Sequence, residues 1–527
     1  MQTLPYPHDK WLTDEEIEVV LDYMFNDCDI TEQLYIAKKK DVDLRKDIKN
    51  RWDVDVSNVN DTGIAKMILN KYYSEATGIA VKDFENLRSY NKAFSLKSIV
   101  FPVFNFKTKP FQELMVWLNS KIYKEGTKIK LREEYDEDNE EKEQGYVVSS
   151  KGLNLQIALG GLHSIDLPGL FDNKDGFIYR DADVASLYPT IMVNNNIRPR
   201  HVLPEFITIL AKLIVERLAD KAAGRTTESD TKKLIINSIF GLLGSEYYWL
   251  RDTKALLRVT INGQLYLCRL IEDLQLAGIE VVSANTDGIV CKFKGNQEEE
   301  YKRICAAWEE EFRFTLEYKD YEIYARKDVN NYISLDANSS LPWAKRVKTK
   351  GKYFNTEIQL NKGYWFPVIP KALNEYFLKG IDPEVTIKAD KDIYNFMCSI
   401  KADKDTFEML FVYLDNSGDY GKMVKEPQQE NNRWIVVNKG GKLIKYERDE
   451  VKQLRLAALR ENNKKITPAA KRNRVLHVDK DNYVQITNKV LETNADKYDI
   501  NYDFYIKQAW EVIRQIKPLY TQQNLFQ

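Results

Sequence analysis

Apolar positions recur at helical spacing in some segments of this chain and gather into short continuous runs in others. Ile17, Val20, Leu21 and Met24 recur at helical spacing, which predicts a helix over residues 14–31. Thr13, with Glu16 three residues on, forms a capping-box pattern at its start. Residues 60–100 keep a helical, charged pattern, and 146–161 read as extended, ending in Gly160-Gly161. Residues 177–184 form a short apolar run behind Gly176, the mark of a buried strand. Two helices are predicted next, over 203–222 and 230–241, joined by a polar turn after Gly224. That is an αα-hairpin. A helix over 254–277 follows, then two apolar strands, 279–284 and 289–293, with a tight turn between them. Beyond about residue 345 the chain is basic and mixed, Pro367 and Pro370 interrupt the pattern, and several helices are expected to the end.

Composition narrows the class. At 527 residues, 43% of them hydrophobic, the chain is long enough for three or four domains with sizeable cores. Lys and Arg number 78 against 79 Asp and Glu, a formal net charge of −1. This excludes a protein basic on every face but allows a local basic groove. The five cysteines form no CxxC pair, so neither a disulfide framework nor a zinc site is expected, and a reducing compartment is. No apolar stretch approaches membrane-span length and residues 1–30 lack a signal-peptide pattern. The expected location is the cytoplasm. Residues 133–143 are mostly acidic and read as a solvated loop.

Three segments carry chemistry. The first is Asp183-Val184-Ala185-Ser186-Leu187-Tyr188-Pro189, where the buried strand gives out. The second is Lys233-Leu234-Ile235-Ile236-Asn237-Ser238-Ile239-Phe240-Gly241, on the second helix of the hairpin. The third is Asn285-Thr286-Asp287-Gly288, the turn between the later strands. If the strands ending at Asp183 and Asp287 are neighbours in one sheet, their carboxylates reach a shared ion. Magnesium takes oxygen ligands and keeps several waters, so one or two carboxylates with substrate phosphates suffice. Lys233 and Asn237 stand four apart and share a helical face, as do Arg217 and Lys221 on the preceding helix. In an antiparallel hairpin both pairs can converge on one triphosphate.

In this order and spacing the segments resemble motifs A, B and C of the family B DNA polymerases. The resemblance spans most of the chain and is sharp from about 177 to 293. It implies an α+β, multidomain right-hand polymerase with an antiparallel ferredoxin-like palm, helical-hairpin fingers and a mixed thumb. A partial exonuclease segment of RNase H-like type precedes these. The implied boundaries are a C-terminal exonuclease remnant over 1–60, a connecting, N-terminal-like region over 61–170, and palm over 171–202 and 245–345. Fingers cover 203–244, and thumb and tail 346–527. The implied reaction adds deoxynucleotides to a primer 3′ end with two Mg2+ ions, Mn2+ being the alternative metal.

The resemblance also assigns roles. Asp183, Asp287 and the Val184 carbonyl are metal ligands. Asn285 stands where the family usually has an aspartate, keeping an acceptor oxygen without the charge. Ser186 and Leu187 offer backbone N–H groups to phosphates, and Tyr188 corresponds to the steric gate that rejects a 2′-hydroxyl. Arg217, Lys221, Lys233 and Asn237 hold the triphosphate. Phe240 replaces the usual tyrosine under the base pair. Lys345, Arg346, Lys348, Lys350 and Lys352 form a basic run suited to phosphates. Tyr332 matches the family's primer-gripping tyrosine, while Asn330 stands at its lysine position. Gly160 and Gly161 resemble the YxGG-type segment, without its tyrosine.

Tyr23 and Asp27 form a YxxxD string resembling the third proofreading-exonuclease motif, yet no DxE string stands before it. Either another polypeptide supplies the first part of the exonuclease, or this is a fragment. The reading adopted is the C-terminal portion of a split enzyme most like those of large phages, located in the host cell cytoplasm if phage-encoded. Its expected partners are primer-template DNA, dNTP and an N-terminal exonuclease polypeptide, with no membrane. Gln522, Leu525 and Phe526 resemble a sliding-clamp docking tail. The alternatives are a catalytically weakened DNA-binding scaffold of a replication complex, and an RNA polymerase or reverse transcriptase with a related palm.

Overall fold

The computed structural model describes residue 6 and residues 11–125, 145–357, 365–413, 425–461, 466–489 and 492–517. The chain divides into two compact units, one of residues 1–166 and 176–320, the other of 167–175 and 321–527.

The first unit opens with α1 (Asp14–Ala37), α2 (Lys39–Trp52), α3 (Asp61–Thr77) and the short α4 (Val81–Phe84). The capping box holds: Glu16 N–H donates to Thr13 Oγ1 at 3.3 Å and Thr13 N–H to Glu16 Oε2 at 3.0 Å. The helix runs one and a half turns beyond the expected end, because no residue after Thr31 breaks it before Lys38. A small ladder of β1 (Ala93–Ser95) and β2 (Ile122–Lys124) flanks α5 (Lys109–Ser120).

The main sheet is built from β3 (Tyr146–Ser150), β4 (Leu153–Ile157) and β5 (Leu162–Ser164); β6 (Gly169–Asp172) belongs to the second unit. Then come β7 (Ile178–Val184), α6 (Leu187–Asn194), the hairpin helices α7 (Glu205–Ala222) and α8 (Thr226–Leu242), and α9 (Thr253–Leu276). The sheet is completed by β8 (Glu280–Thr286) and β9 (Gly288–Phe293), in the antiparallel order β7-β9-β8-β5-β4-β3. Helix α10 (Glu298–Phe312) leads to β10 (Leu316–Asp328), which starts in this unit and runs on into the other.

Two local features position the site. Helix α9 is buried on nearly every side, and its buried polar side chains pin the surrounding loops. Gln264 accepts from the Ala158 N–H at 3.1 Å and donates to the carbonyls of Ala158 at 2.7 Å and Gly160 at 2.8 Å. Asn262 holds Phe101 N–H and the Ile99 carbonyl, each at 2.8 Å. The second feature is the start of α8. Residues 226–229, expected as a polar turn, are helical, because their neighbourhood is tied down by tertiary pairs. Arg225 and Lys232 both reach the buried Asp220, the lysine at 2.6 Å, and Arg51 pairs with Glu228.

In the second unit β6 pairs with β10, β10 with β11 (Asn331–Asp336), and β11 with β12 (Val347–Lys350), past the short α11 (Trp343–Arg346). Helices α12 (Val368–Lys379) and α13 (Pro383–Ala389) follow. Besides the expected helices, the described residues of this region hold strands that the pattern did not announce: β13 (Cys398–Lys401), β14 (Phe407–Val412), β15 (Lys425–Pro427), β16 (Asn431–Val437), β17 (Lys442–Glu447), β18 (Val475–His477) and β19 (Tyr483–Ile486). They form two antiparallel sheets, β13-β16-β19 and β15-β14-β17-β18. Runs such as Trp434-Ile435-Val436-Val437 are β-branched and aromatic without a helical period, which favours strand. Among them lies α14 (Asp449–Glu461), and α15 (Tyr502–Ile516) closes the described chain. Tyr505 on α15 donates its hydroxyl to the Phe396 carbonyl and accepts from Val436 N–H, both at 2.9 Å.

Candidate active site

Antiparallel pairing brings the two acids of the first unit together. In the β7–β9 ladder Asp183 stands opposite Gly288, and in the β8–β9 hairpin Asn285 stands opposite the same glycine. The turn is therefore two residues, Thr286 and Asp287. Thr286 takes the left-handed conformation, φ 57°, which is uncommon for a β-branched residue and marks a tightly constrained turn. Asp287 N–H donates to the Asn285 carbonyl at 2.6 Å, and Val184 N–H donates to the Asp287 carbonyl at 2.7 Å. Gly288 explains how close the strands come: a Cβ there would lie 1.9 Å from Asp183 Oδ1. The Asp183 carboxylate thus lies over the residue next to Asp287. Asp287 is exposed, whereas Asp183 and Asn285 are half-buried.

This donor set fits a hard cation. Asp183, Asp287 and the Val184 carbonyl, at the end of β7, are oxygen donors, as magnesium requires. Among the described residues no cluster of three or more His, Cys, Asp or Glu suits a metal ion. Two carboxylates leave room for water and phosphate oxygens. Asn285 Oδ1 accepts from the Thr286 hydroxyl at 3.2 Å, so its amide also serves the turn.

The segment after Asp183 makes a second sharp turn. Ser186 is left-handed, φ 54°, just before α6, and Ala185 N–H donates to the Thr315 carbonyl at 2.9 Å. From α7, Arg217 Nη1 donates to Ser186 Oγ at 2.8 Å, and Lys221 Nζ meets Glu317 Oε1 at 3.1 Å. From α8, Lys233, Asn237 and Gly241 are exposed at helical spacing, while the adjacent Lys232 is buried on Asp220. Phe240 is half-buried with its ring centroid 4.4 Å from that of Tyr188. Leu187 is buried.

Two glycines shape the Tyr188 pocket. A Cβ on Gly263 would come within 3.1 Å of the Tyr188 ring. One on Gly161 would come within 3.1 Å of its hydroxyl and 3.0 Å of the Thr286 side chain. Gly160, held by Gln264, and Gly161 therefore pass directly beside the Thr286–Asp287 turn. Burial, and after it the charge of Asp287, raises the Tyr188 phenol far above its ordinary value. The ring stays neutral through the physiological range.

The remaining expected residues sit elsewhere. Tyr23 and Asp27 share a face of α1, where the Asp27 carboxylate raises the Tyr23 phenol. In the second unit Tyr332 is buried, opposite Lys350 in the β11–β12 ladder, with Lys348 Nζ 5.9 Å from its ring centroid. Lys352 lies over the rings of Tyr353 and Trp365, at 5.0 and 5.5 Å. Gln522, Leu525 and Phe526 lie outside the described residues.

Sequence reasoning named Gly288 as part of the turn without its close approach to Asp183, and it missed Gly263 and Glu317. No local pattern distinguishes them; only the strand register and the helix packing place them at the site. It also passed over residues 439–480, which hold thirteen Lys and Arg against five Asp and Glu. That imbalance was visible in the sequence as a charge count.

No family model matches the chain, and no curated protein matches it. Among solved structures the chain is similar to the family B DNA polymerase from the hyperthermophilic archaeon Pyrobaculum calidifontis, at 15% identity and a TM-score of 0.44. The match covers 97% of this chain and 58% of that one, so the chain spans less than two thirds of that protein's length. Among the described residues no helix is long and apolar enough to cross a membrane.

Proposed function

We propose that this chain is a DNA-directed DNA polymerase of the family B type, adding deoxynucleotides to a primer 3′ end. The observation that carries the reading is the pairing of Asp183 against Gly288, which sets both acids at one turn. Two magnesium ions bound there by Asp183, Asp287 and the Val184 carbonyl supply activation of the attacking primer hydroxyl and stabilisation of the leaving oxygen.

The chain's own residues bind and orient. Arg217, Lys221, Lys233 and Asn237 hold the triphosphate, with the Ser186 and Leu187 amides alongside. Phe240 offers a flat apolar surface to the base pair. Tyr188, packed against Phe240 with Gly161 and Gly263 close beside it, acts as the gate against a 2′-hydroxyl. No side chain acts as nucleophile; positioning and charge neutralisation carry the rate. In this reading the hairpin α7–α8 forms the fingers, the main sheet the palm, and the region after about residue 346 the thumb. Lys348, Lys350, Lys352 and Tyr332 contact DNA phosphates, and α1 carries the Tyr23–Asp27 pair of an exonuclease-type motif.

A second reading, a catalytically weakened DNA-binding scaffold, is favoured by Asn285 and Phe240. Primer extension on a recessed template with magnesium separates the two. The polymerase reading expects extension by the pure chain and none by Asp183→Asn. No extension by the unaltered chain, even with a DxE-bearing partner added, leaves the scaffold. Incorporation from ribonucleotides as readily as from deoxynucleotides points to an RNA polymerase, which the Tyr188 wedge argues against.

A further inference from the structure

Arg217 and Lys221 on α7 are already engaged, and by different groups. Arg217 donates one hydrogen bond to Ser186 Oγ, while its buried Nε has no partner. Lys221, one turn on, is paired with Glu317 at 3.1 Å. Glu317 lies near the start of β10, two residues after Thr315, whose carbonyl receives the Ala185 N–H. The Glu317 carboxylate is therefore anchored through the backbone to the turn that carries Ser186. Its neighbour Leu316 is fixed in turn, its N–H donating to Glu309 Oε1 at 2.6 Å.

We propose that Glu317 is a built-in competitor of the nucleotide: its carboxylate occupies the Lys221 ammonium in the nucleotide-free protein and is displaced by a triphosphate oxygen. The inference rests on the nucleotide-binding reading of α7 and names a residue that tunes it.

The chemistry favours exchange over a permanent bridge. Both side chains are about half exposed, and an ion pair of that kind is weak and screened, so it is given up at little cost. An ammonium is a compact point charge with three donors and transfers between oxygens without a demand for planarity. Arg217 differs. Its guanidinium is partly buried and keeps unused donors directed by a rigid fork, so it can add a phosphate while retaining Ser186. Lys221 is then the exchanging cation and Arg217 the fixed one.

A double-mutant cycle on the full chain tests this. The probe is dTTP with magnesium, and the readout is its dissociation constant together with the KM and kcat of primer extension. Glu317→Gln removes the competing charge and is expected to tighten dTTP binding by about threefold to tenfold, lowering KM with kcat little changed. In a Lys221→Met background the same substitution is expected to shift binding by less than about twofold, because nothing remains to be released. Equal tightening in both backgrounds shows only a general field effect and overturns the exchange, as does no tightening in either. If the unaltered chain retains no dTTP at millimolar concentration, the nucleotide reading fails and the exchange with it. If the unaltered chain binds but the cycle is flat, the exchange alone fails. Thermal melting matching the unaltered chain verifies that each variant is folded.

Discussion

Val184 N–H donates to the Asp287 carbonyl at 2.7 Å, so the strand that ends in one acid is stitched to the turn that carries the other. The bond fixes the distance between two catalytic candidates by backbone alone. Side-chain substitutions at either acid should therefore leave the scaffold standing.

Asp183→Asn and Asp287→Asn are each expected to lower primer extension by on the order of 10³-fold. Thermal melting should stay close to that of the unaltered chain. Substantial extension by either variant removes that residue from the metal set.

Gly288→Ala is expected to act through Asp183. The added Cβ would lie 1.9 Å from Asp183 Oδ1, so the carboxylate or the strand has to shift. Extension should fall by about tenfold or more, since small displacements of a catalytic group are costly. Steady-state kinetics with a folded variant checks this, and unchanged kcat contradicts the close approach.

Asn285→Asp restores a charge beside the turn while keeping the oxygen that accepts from Thr286. The magnesium concentration giving half-maximal extension should fall by about threefold to tenfold, because ligand charge strengthens cation binding. A magnesium titration measures it. No shift assigns Asn285 to the turn alone.

Tyr188→Ala should relax sugar selection. The phenol ring packs against Phe240 with centroids 4.4 Å apart, so its loss also costs stability, roughly 3 kcal/mol by analogy with other buried aromatics. The informative quantity is the ratio of deoxy- to ribonucleotide incorporation. It should drop in Tyr188→Ala and persist in Tyr188→Phe; an unchanged ratio in both rejects Tyr188 as the gate.

Acid should weaken the second unit through Glu447. The Arg455 hydrogen bonds, with Arg474 adding to them against the opposing effect of burial, hold its carboxyl down at about 2. Its folded value lies below its unfolded value near 4.5, so the stabilisation is complete above about pH 4.5 and is lost as the pH falls toward 2. The amount is roughly 2–3 kcal/mol. Glu447→Gln should be less stable at pH 7 and should show a flatter decline between pH 4.5 and 2.5 in denaturant titrations.

Much of the architecture around the site was legible in one dimension. The short apolar runs before Asp183 and around Asp287, and the period near 3.6 in α7, α8 and α9, follow from which residues must face a core. The tight turn announced itself through Asn285 and Gly288, residue types suited to turns. The start of α8 and the strands of the second unit were not legible. Arg225, Glu228 and Lys232 are held at the start of α8 because Asp220 and Arg51 meet them, and no window along the chain contains all of those partners.

The residue types needed for the chemistry, and their order, are properties of the polypeptide: two acids, a lysine four before an asparagine, and an aromatic after a serine. Their distances are properties of the fold. Strand register set Asp183 against Gly288 instead of a residue away, and a slip of one would have turned the carboxylate to the opposite face of the sheet. Pairings such as Arg217 with Ser186 and Lys221 with Glu317 join residues far apart in the chain. Such contacts arise only when whole helices pack, because their energy depends on three-dimensional proximity, which local sequence does not encode.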